Sequence, residues 1–229
     1  MTDIWIIGAG RFGKKAVHAM KHRHPHAALT VVDICPQACD AIAGPVITTI
    51  CMDGIAYLHR FLKDDTTPDW IVPVIPIHMA FEWMRLKLSP AYRVEPVEIP
   101  EMVRTSLPNV YPGRPGEIFT SVASFICPEN CPEPSAICTY TRNPRTQILH
   151  QTIQSLSCPP FVVVSLQSRQ LAPGIGGIRP SCLWKALRTV QMSRFPVLLS
   201  TACKCHGVVQ AFTAIPSGAD STSLMDLSY

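Results

Sequence analysis

This sequence of 229 residues has few charged residues and few long apolar runs, and no export signal is recognised in it. Only 16% of the residues are charged against 47% that are hydrophobic, which excludes an intrinsically disordered chain. The formal net charge is only +4 and no long basic block accompanies it, so binding of nucleic acid is not expected. A chain of this length is expected to form one large domain, or one domain with an insertion.

A membrane span is also missing from the sequence. The longest apolar stretch, residues 70–81, is interrupted by Pro73 and Pro76 and is too short to cross a bilayer, so no direct membrane insertion is expected. Residues 1–3 lack the cationic start of a signal peptide, which favours a cytoplasmic location. Disulfides are rare in that compartment. The ten cysteines are therefore expected to be core residues, metal ligands or redox groups.

The most informative feature is a glycine-rich turn between a predicted strand, residues 4–7, and a predicted helix, residues 11–23. Gly8 permits a tight turn, Gly10 lets the backbone approach a pyrophosphate, and Gly13 allows the helix to pack closely on the sheet. Free N–H groups and the helix dipole favour an anion at the start of the helix. Unless the turn is kept for structural reasons alone, it predicts a dinucleotide site at Gly8, Gly10, Arg11, Phe12 and Gly13.

Asp33 ends the second apolar run, residues 29–33. A carboxylate at this position accepts hydrogen bonds from the 2′-hydroxyl of a ribose and repels a 2′-phosphate. We therefore expect NAD(H), rather than NADP(H), to be the cofactor.

Apolar runs and amphipathic segments alternate over residues 4–88, which predicts an α/β fold with a doubly wound, mostly parallel, Rossmann-like sheet. Further elements are predicted at residues 161–166 (strand), 181–192 (helix) and 196–201 (last strand). Prolines recur from residue 90 to residue 144 and predict a loop-rich, cysteine-bearing insertion, because central strands and long helices rarely accommodate proline. The predicted division is a nucleotide-binding unit (1–88), the insertion (89–145), the remainder of the same domain (146–216) and a mobile tail (217–229).

The segments Ile6-Ile-Gly-Ala-Gly-Arg-Phe-Gly13 and Val31-Val-Asp33-Ile resemble the opening of the regulator-of-potassium-conductance (KTN/RCK) family. Members of that family are NAD-binding modules attached to potassium uptake systems and channels. The resemblance covers the N-terminal part only and weakens after about residue 75. It implies a ligand-binding fold of regulatory ancestry, and the partners to expect are then a second copy of the chain, as a homodimer, and a membrane-transport protein.

Cysteines are concentrated in two short segments, residues 127–138 and residues 203–206. Thiolates and imidazole are ligands of zinc and of iron–sulfur clusters, and cysteines in a proline-rich turn can converge without a helix. A structural metal would also order a region with little secondary structure. The alternatives are reactive thiols and inert buried cysteines. The predicted ligands, for zinc or an iron–sulfur cluster, are Cys127, Cys131, Cys138, Cys203, Cys205 and His206.

His78 and Glu82 lie four residues apart on a predicted helix, residues 77–88, and share a face. They are candidates for a general acid and base, with a partly buried hydrogen-bonded pair as the ordinary alternative. The glycine-rich segment 170–177 is expected to be either a phosphate- or substrate-facing loop or a simple connection. Two functions remain open: an NAD-dependent oxidoreductase with a cysteine-bound metal, and a non-catalytic NAD(H)-sensing regulatory module, for example of a potassium transport system.

Overall fold

The computed structural model describes residues 2–64 and 68–218, so the predicted tail lies almost entirely outside the described residues. The first half of the chain forms a four-stranded parallel sheet in the order β3-β2-β1-β4. This confirms the predicted α/β class and the parallel sheet of the first unit. Its elements are β1 (Asp3–Ile7), α1 (Arg11–Arg23), β2 (Ala28–Asp33), α2 (Pro36–Asp40), β3 (Ile47–Cys51), α3 (Gly54–Phe61), β4 (Trp70–Pro73) and α4 (Met79–Leu88).

Both faces of this first sheet are covered, which explains why its central strands are mainly apolar. In β1, Ile4 and Ile6 are fully buried and belong to the core under α1, whereas Ile7 belongs to the core under α3 and α4. The helix α1 buries one side only, formed by Gly13, Ala16, Val17 and Met20. Because its four strands are parallel, their carboxyl ends all lie at one edge of the sheet, where ligands of parallel sheets bind.

The second half of the chain forms a second sheet of six strands, most of them antiparallel. Its order is β6-β7-β12-β11-β8, and β5 pairs with the second half of β12. A separate two-stranded hairpin, β9–β10, packs beside α1 and β4. The elements are β5 (Tyr92–Pro96), α5 (Glu101–Ser106), β6 (Val110–Pro112), β7 (Glu117–Ser121), α6 (Leu149–Gln154), β8 (Val162–Gln167), β9 (Arg169–Ala172), β10 (Ile175–Gly177), α7 (Pro180–Met192), β11 (Val197–Ala202) and β12 (His206–Pro216).

The division predicted for residues 89–216 needs correction. The strands β5, β6 and β7 come from the range predicted as a loop-rich insertion, and Pro96 and Pro112 stand at the ends of strands, where a missing N–H is tolerated. Most of the irregular backbone lies between residues 122 and 148. The strands β8 and β11, predicted to continue the first sheet, belong to the second, and β12 was not predicted at all.

The helices α4 and α7 lie between the two sheets and join them through one core. Trp83 of α4 meets Trp184 of α7 edge to face, with ring centroids 5.1 Å apart. The ring of Phe81 in α4 packs against that of Phe212 in β12, with ring centroids 5.3 Å apart. The far side of the second sheet is covered by α5 and α6. Among the helices of the described ranges, none is long and apolar enough to cross a membrane.

Candidate functional site

Two of the three glycines in the turn are required by the fold itself. Gly8 has a positive φ of 113°, and a Cβ there would lie 2.8 Å from the main-chain oxygen of Val74. A Cβ on Gly13 would overlap the main-chain oxygen of Gly8, because α1 packs directly on the turn. Gly10 is different, since no atom of the described residues lies within 4 Å of a Cβ built there. The space beside Gly10 is therefore open to a ligand.

The start of α1 offers unpaired donors to that space. Gly10 is the N-cap and supplies no side-chain cap, and the first backbone hydrogen bond runs from Lys14 N to Gly10 O at 2.9 Å. The amides of the first helical residues have no intrahelical acceptor. Two basic side chains, Arg11 and Lys15, stand on the same first turns. This arrangement favours an anion.

Asp33 lies at the carboxyl end of β2, as predicted, and is held by two backbone amides. Its Oδ2 accepts a hydrogen bond from Ala9 N at 2.6 Å, and its Oδ1 accepts one from Cys35 N at 2.8 Å. Each carboxylate oxygen can accept a second hydrogen bond. The carboxylate is thus oriented by the glycine turn and keeps the capacity to bind a hydroxyl.

A cavity of about 200 Å³ opens beside Asp33. Its walls are mainly aliphatic and include Ile34, Ile55 and Ile77. Two carboxylates line it, Asp33 and Asp53, and Asp53 is fixed as the N-cap of α3 by accepting a hydrogen bond from Ala56 N at 2.8 Å. Apolar walls with a few oriented acceptors suit a base joined to a ribose.

A larger cavity of about 780 Å³ borders the first turn of α1. Phe12, a residue of the predicted dinucleotide site, lines it with 40% of its surface exposed. The glycine-rich segment 170–177 is the β9–β10 hairpin and forms one wall. Five of the six predicted ligands line the same cavity: Cys127, Cys131, Cys203, Cys205 and His206.

The sixth predicted ligand, Cys138, does not line the cavity but lies close to the others. Burial raises the pKa of Cys127, and the nearby charges of Cys205, Cys131 and Cys138 raise it further. Hydrogen bonds from the backbone and hydroxyl of Thr141 lower the pKa of Cys138. Mutual repulsion among clustered thiolates is relieved when a cation binds them.

Cys203 and Cys205 have different surroundings. Burial and the neighbouring Glu133 carboxylate raise the pKa of Cys203 to about 12. Burial also raises the pKa of Cys205, whereas Arg145, whose Nη1 donates to the sulfur, opposes this shift. The Sγ of Cys203 and the Nδ1 of His206 are 4.0 Å apart.

These side chains surround a space rather than close on an ion. Within residues 2–64 and 68–218, no three His, Cys, Asp or Glu side chains stand in positions to hold a metal ion. Several of the sulfurs have other contacts instead: Cys131 Sγ is 3.8 Å from Thr139 Oγ1, and Cys205 Sγ accepts from Arg145. Binding of a metal by this set therefore requires rotation of the thiols away from these contacts.

The predicted acid and base do not reach either cavity. His78 is buried, its Nε2 is 3.0 Å from Thr201 Oγ1, and burial lowers its pKa to about 3. Glu82 accepts hydrogen bonds from Arg85 at 2.8 and 3.0 Å. The geometry gives both residues contacts within the fold and does not support their pairing as general acid and base.

Sequence reasoning missed Glu133 and Arg145, two charged residues that act on Cys203 and Cys205. Glu133 has a positive φ of 48°, and its carboxylate accepts a hydrogen bond from Lys204 N in the turn between β11 and β12. Arg145 also donates to Pro134 O at 3.0 Å. The one available signal is that these are charged residues within or next to the cysteine-rich segment.

Comparison with known proteins identifies relatives of both halves of the chain. A protein-family profile described as "Uncharacterized protein, C-terminal domain" matches residues 80–215, which include all the predicted cysteine and histidine ligands. A protein of Archaeoglobus fulgidus described as "Uncharacterized protein" is 26% identical over an alignment of 219 residues, and the match covers 90% of this chain and 97% of that protein. No solved structure matches significantly. Because the profile spans more than half of the sequence, the chain belongs to the family defined by this C-terminal domain.

Proposed function

We propose that this protein binds NAD(H) at the glycine turn and holds a metal centre with its clustered cysteines. One observation carries the proposal: the larger cavity is lined both by Phe12, from the first turn of α1, and by five of the six residues predicted as ligands. A cofactor lying across the start of α1 would thus extend toward the thiols.

The smaller cavity, the start of α1 and the larger cavity each have the chemical character to bind a different part of the dinucleotide. The smaller cavity, with Asp33 and aliphatic walls, suits the adenosine half. The open space at Gly10 and the free amides of α1 suit the pyrophosphate. The larger cavity, which contains aromatic side chains, suits the nicotinamide half.

The donor set fits a thiophilic metal. Cys127, Cys131, Cys138 and Cys205 influence one another electrostatically and supply the thiolates that zinc and iron–sulfur clusters share as ligands. Cys203 and His206 line the same cavity. A bound iron–sulfur cluster would supply electron transfer, whereas zinc would supply structural order or polarise a substrate.

The activity that follows is that of an NAD-dependent oxidoreductase, in which the clustered cysteines would hold the metal centre and a nicotinamide bound at the glycine turn would supply hydride transfer. A second function, an NAD(H)-sensing regulatory module, is favoured by the position of His78 and Glu82. His78 contacts Thr201 and Glu82 contacts Arg85. Neither side chain lines either cavity of the described residues, so neither is placed to act there as an acid or base. The resemblance of the glycine turn to potassium-transport regulators points the same way, and such a module would act on a partner protein.

Anaerobic purification followed by absorption spectroscopy and elemental analysis tests the metal centre. Iron with sulfide, or zinc in stoichiometric amount, supports the proposal and identifies the metal. Protein that carries neither after purification and after reconstitution with either metal contradicts the metal centre.

Calorimetric titration tests the cofactor. We expect NADH to bind at least about tenfold more tightly than NADPH, because Asp33 repels a 2′-phosphate and binds a 2′-hydroxyl. Asp33→Asn should lose most of this preference while keeping the hydrogen bond from Ala9 N. An unchanged preference in the variant would show that Asp33 does not select the cofactor. Turnover of NADH with an artificial electron acceptor then separates an oxidoreductase from a sensing module, which binds without turnover.

A further inference from the structure

Residues 127–131, which we call the cysteine strap, lie against the first turns of α1. The carboxylate of Glu129, in the middle of the strap, forms an ion pair with Arg11. Lys15 Nζ donates to the main-chain oxygen of Glu129 and lies 3.9 Å from its Oε2. The strap, which carries two of the predicted ligands, is therefore tied to the helix end where the dinucleotide is expected.

The other side of the strap contacts the β9–β10 hairpin. The main-chain oxygen of Cys131 accepts hydrogen bonds from Gly174 N at 3.1 Å and from Gln170 Nε2 at 2.8 Å. Gly174 has a positive φ of 73°, and a Cβ there would overlap the oxygen of Glu129. The strap thus fits closely between the hairpin and α1. Glu129 is the residue whose side-chain charge joins it to the helix.

The Glu129 carboxylate lies beside Arg11 and Lys15, the two basic side chains that a bound anion at the start of α1 would also contact. The start of a helix carries a partial positive charge, and Arg11 and Lys15 add two full charges to it. A pyrophosphate bound over Gly10 would recruit the same two side chains, since charge-assisted hydrogen bonds to phosphate are stronger than those to a neutral group. Glu129 half exposed to solvent is well placed to be displaced by it.

We propose that Glu129 competes internally with the dinucleotide pyrophosphate for Arg11 and Lys15, so that dinucleotide binding releases the cysteine strap. This inference rests on the proposed dinucleotide site and adds its regulation. The two equilibria are linked, so their effects on each other are equal. Attachment of the strap to α1 weakens dinucleotide binding by the same factor by which the bound dinucleotide weakens that attachment. The occupancy of the cofactor site is thereby transmitted to Cys127 and Cys131.

Calorimetric titration of NADH into the full-length protein and two variants tests the competition. Glu129→Gln removes the competing charge and should tighten NADH binding about two- to fivefold, the range expected for an ion pair exposed to solvent. Glu98→Gln is the matched control, because Glu98 is exposed and lines neither cavity. It should bind as the wild type does.

Hydrogen exchange provides a second measurement that does not depend on any substitution. NADH should increase exchange of the amides of Cys131 and Gly174, which donate to Pro128 O and Cys131 O in the tied strap. Binding of NADH with equal affinity to wild type and Glu129→Gln, or with unchanged exchange in the strap, overturns the competition alone. Absence of NADH binding to all three proteins overturns the proposed cofactor site, and the competition with it.

Discussion

Gly10 and Gly13 stand in one turn, yet for different physical reasons. Gly13 has no room for a side chain, because α1 rests on the main-chain oxygen of Gly8. Gly10 has room for one and adopts a negative φ of −66°, which any residue tolerates. The fold therefore does not require a glycine at position 10, whereas the proposed pyrophosphate site does.

Substituting each of these glycines separates the two roles. Gly10→Val should leave the free energy of unfolding nearly unchanged and abolish NADH binding, because its side chain fills the place of the pyrophosphate. Gly13→Ala should lower the free energy of unfolding by about 1–3 kcal/mol, the usual cost of overpacking. Chemical denaturation and calorimetric titration measure the two effects. Strong NADH binding by Gly10→Val would contradict the site.

Residues that act through local sequence were predictable, and those that act through distant contacts were not. Asp33 and the glycines belong to one strand–turn–helix–strand unit whose spacing fixes their positions. Glu129 meets Arg11 across 118 residues of sequence. Nothing local to Glu129 indicates this contact, because it depends on how the two sheets pack together.

At the scale of elements, the second sheet was hidden by proline and by the cysteine turn. β5 and β6 are short and end at Pro96 and Pro112. The frequent prolines of this range are typical of a loop, so the sequence did not predict these strands. β12 follows directly after Cys203 and Cys205, and closely spaced cysteines indicate a metal-binding turn rather than the start of a strand. Its centre, including Val209 and Phe212, is fully buried and carries the β-branched and aromatic residues typical of a central strand.

The same elements predict where a metal would matter. The irregular segment between β7 and α6 has few backbone hydrogen bonds of its own to order it, and metal ligands from residues 127–138 and 203–206 would close a long loop. Removing the metal with a chelator should raise hydrogen exchange in these two segments and leave β1, β2 and β4 protected. Uniform exchange with and without chelator would contradict a metal that orders this region.

At the scale of the whole molecule, the two sheets are held together by α4, α7 and a buried polar contact. His78 occupies the N-cap position of α4 without a side-chain cap hydrogen bond, and its ring Nε2 lies 3.0 Å from Thr201 Oγ1 of β11. The remaining ring nitrogen, Nδ1, has no hydrogen-bond partner among the described residues. The neutral ring of His78 therefore connects the half of the chain that forms the first sheet to the second sheet.

The burial of His78 predicts that acid weakens the molecule. Burial lowers the pKa of His78 to about 3, whereas an unfolded histidine titrates near 6.5. Between these values the unfolded chain takes up a proton that the folded chain does not. The free energy of unfolding should therefore fall as the pH drops below about 6.5, by up to about 1.4 kcal/mol per pH unit.

A matched pair of variants isolates this effect from the titration of the thiols and carboxylates. His78→Gln keeps a polar group opposite Thr201 but cannot take up the proton, so its stability should depend less on pH than that of the wild type between about pH 7 and about pH 5. His18→Gln, at an exposed position of α1, should retain the wild-type dependence. Because the other groups titrate in all three proteins, only the difference in slope reports on His78. Equal slopes in wild type and His78→Gln would mean that His78 is protonated in the folded protein, and that the contact with Thr201 tolerates its charge.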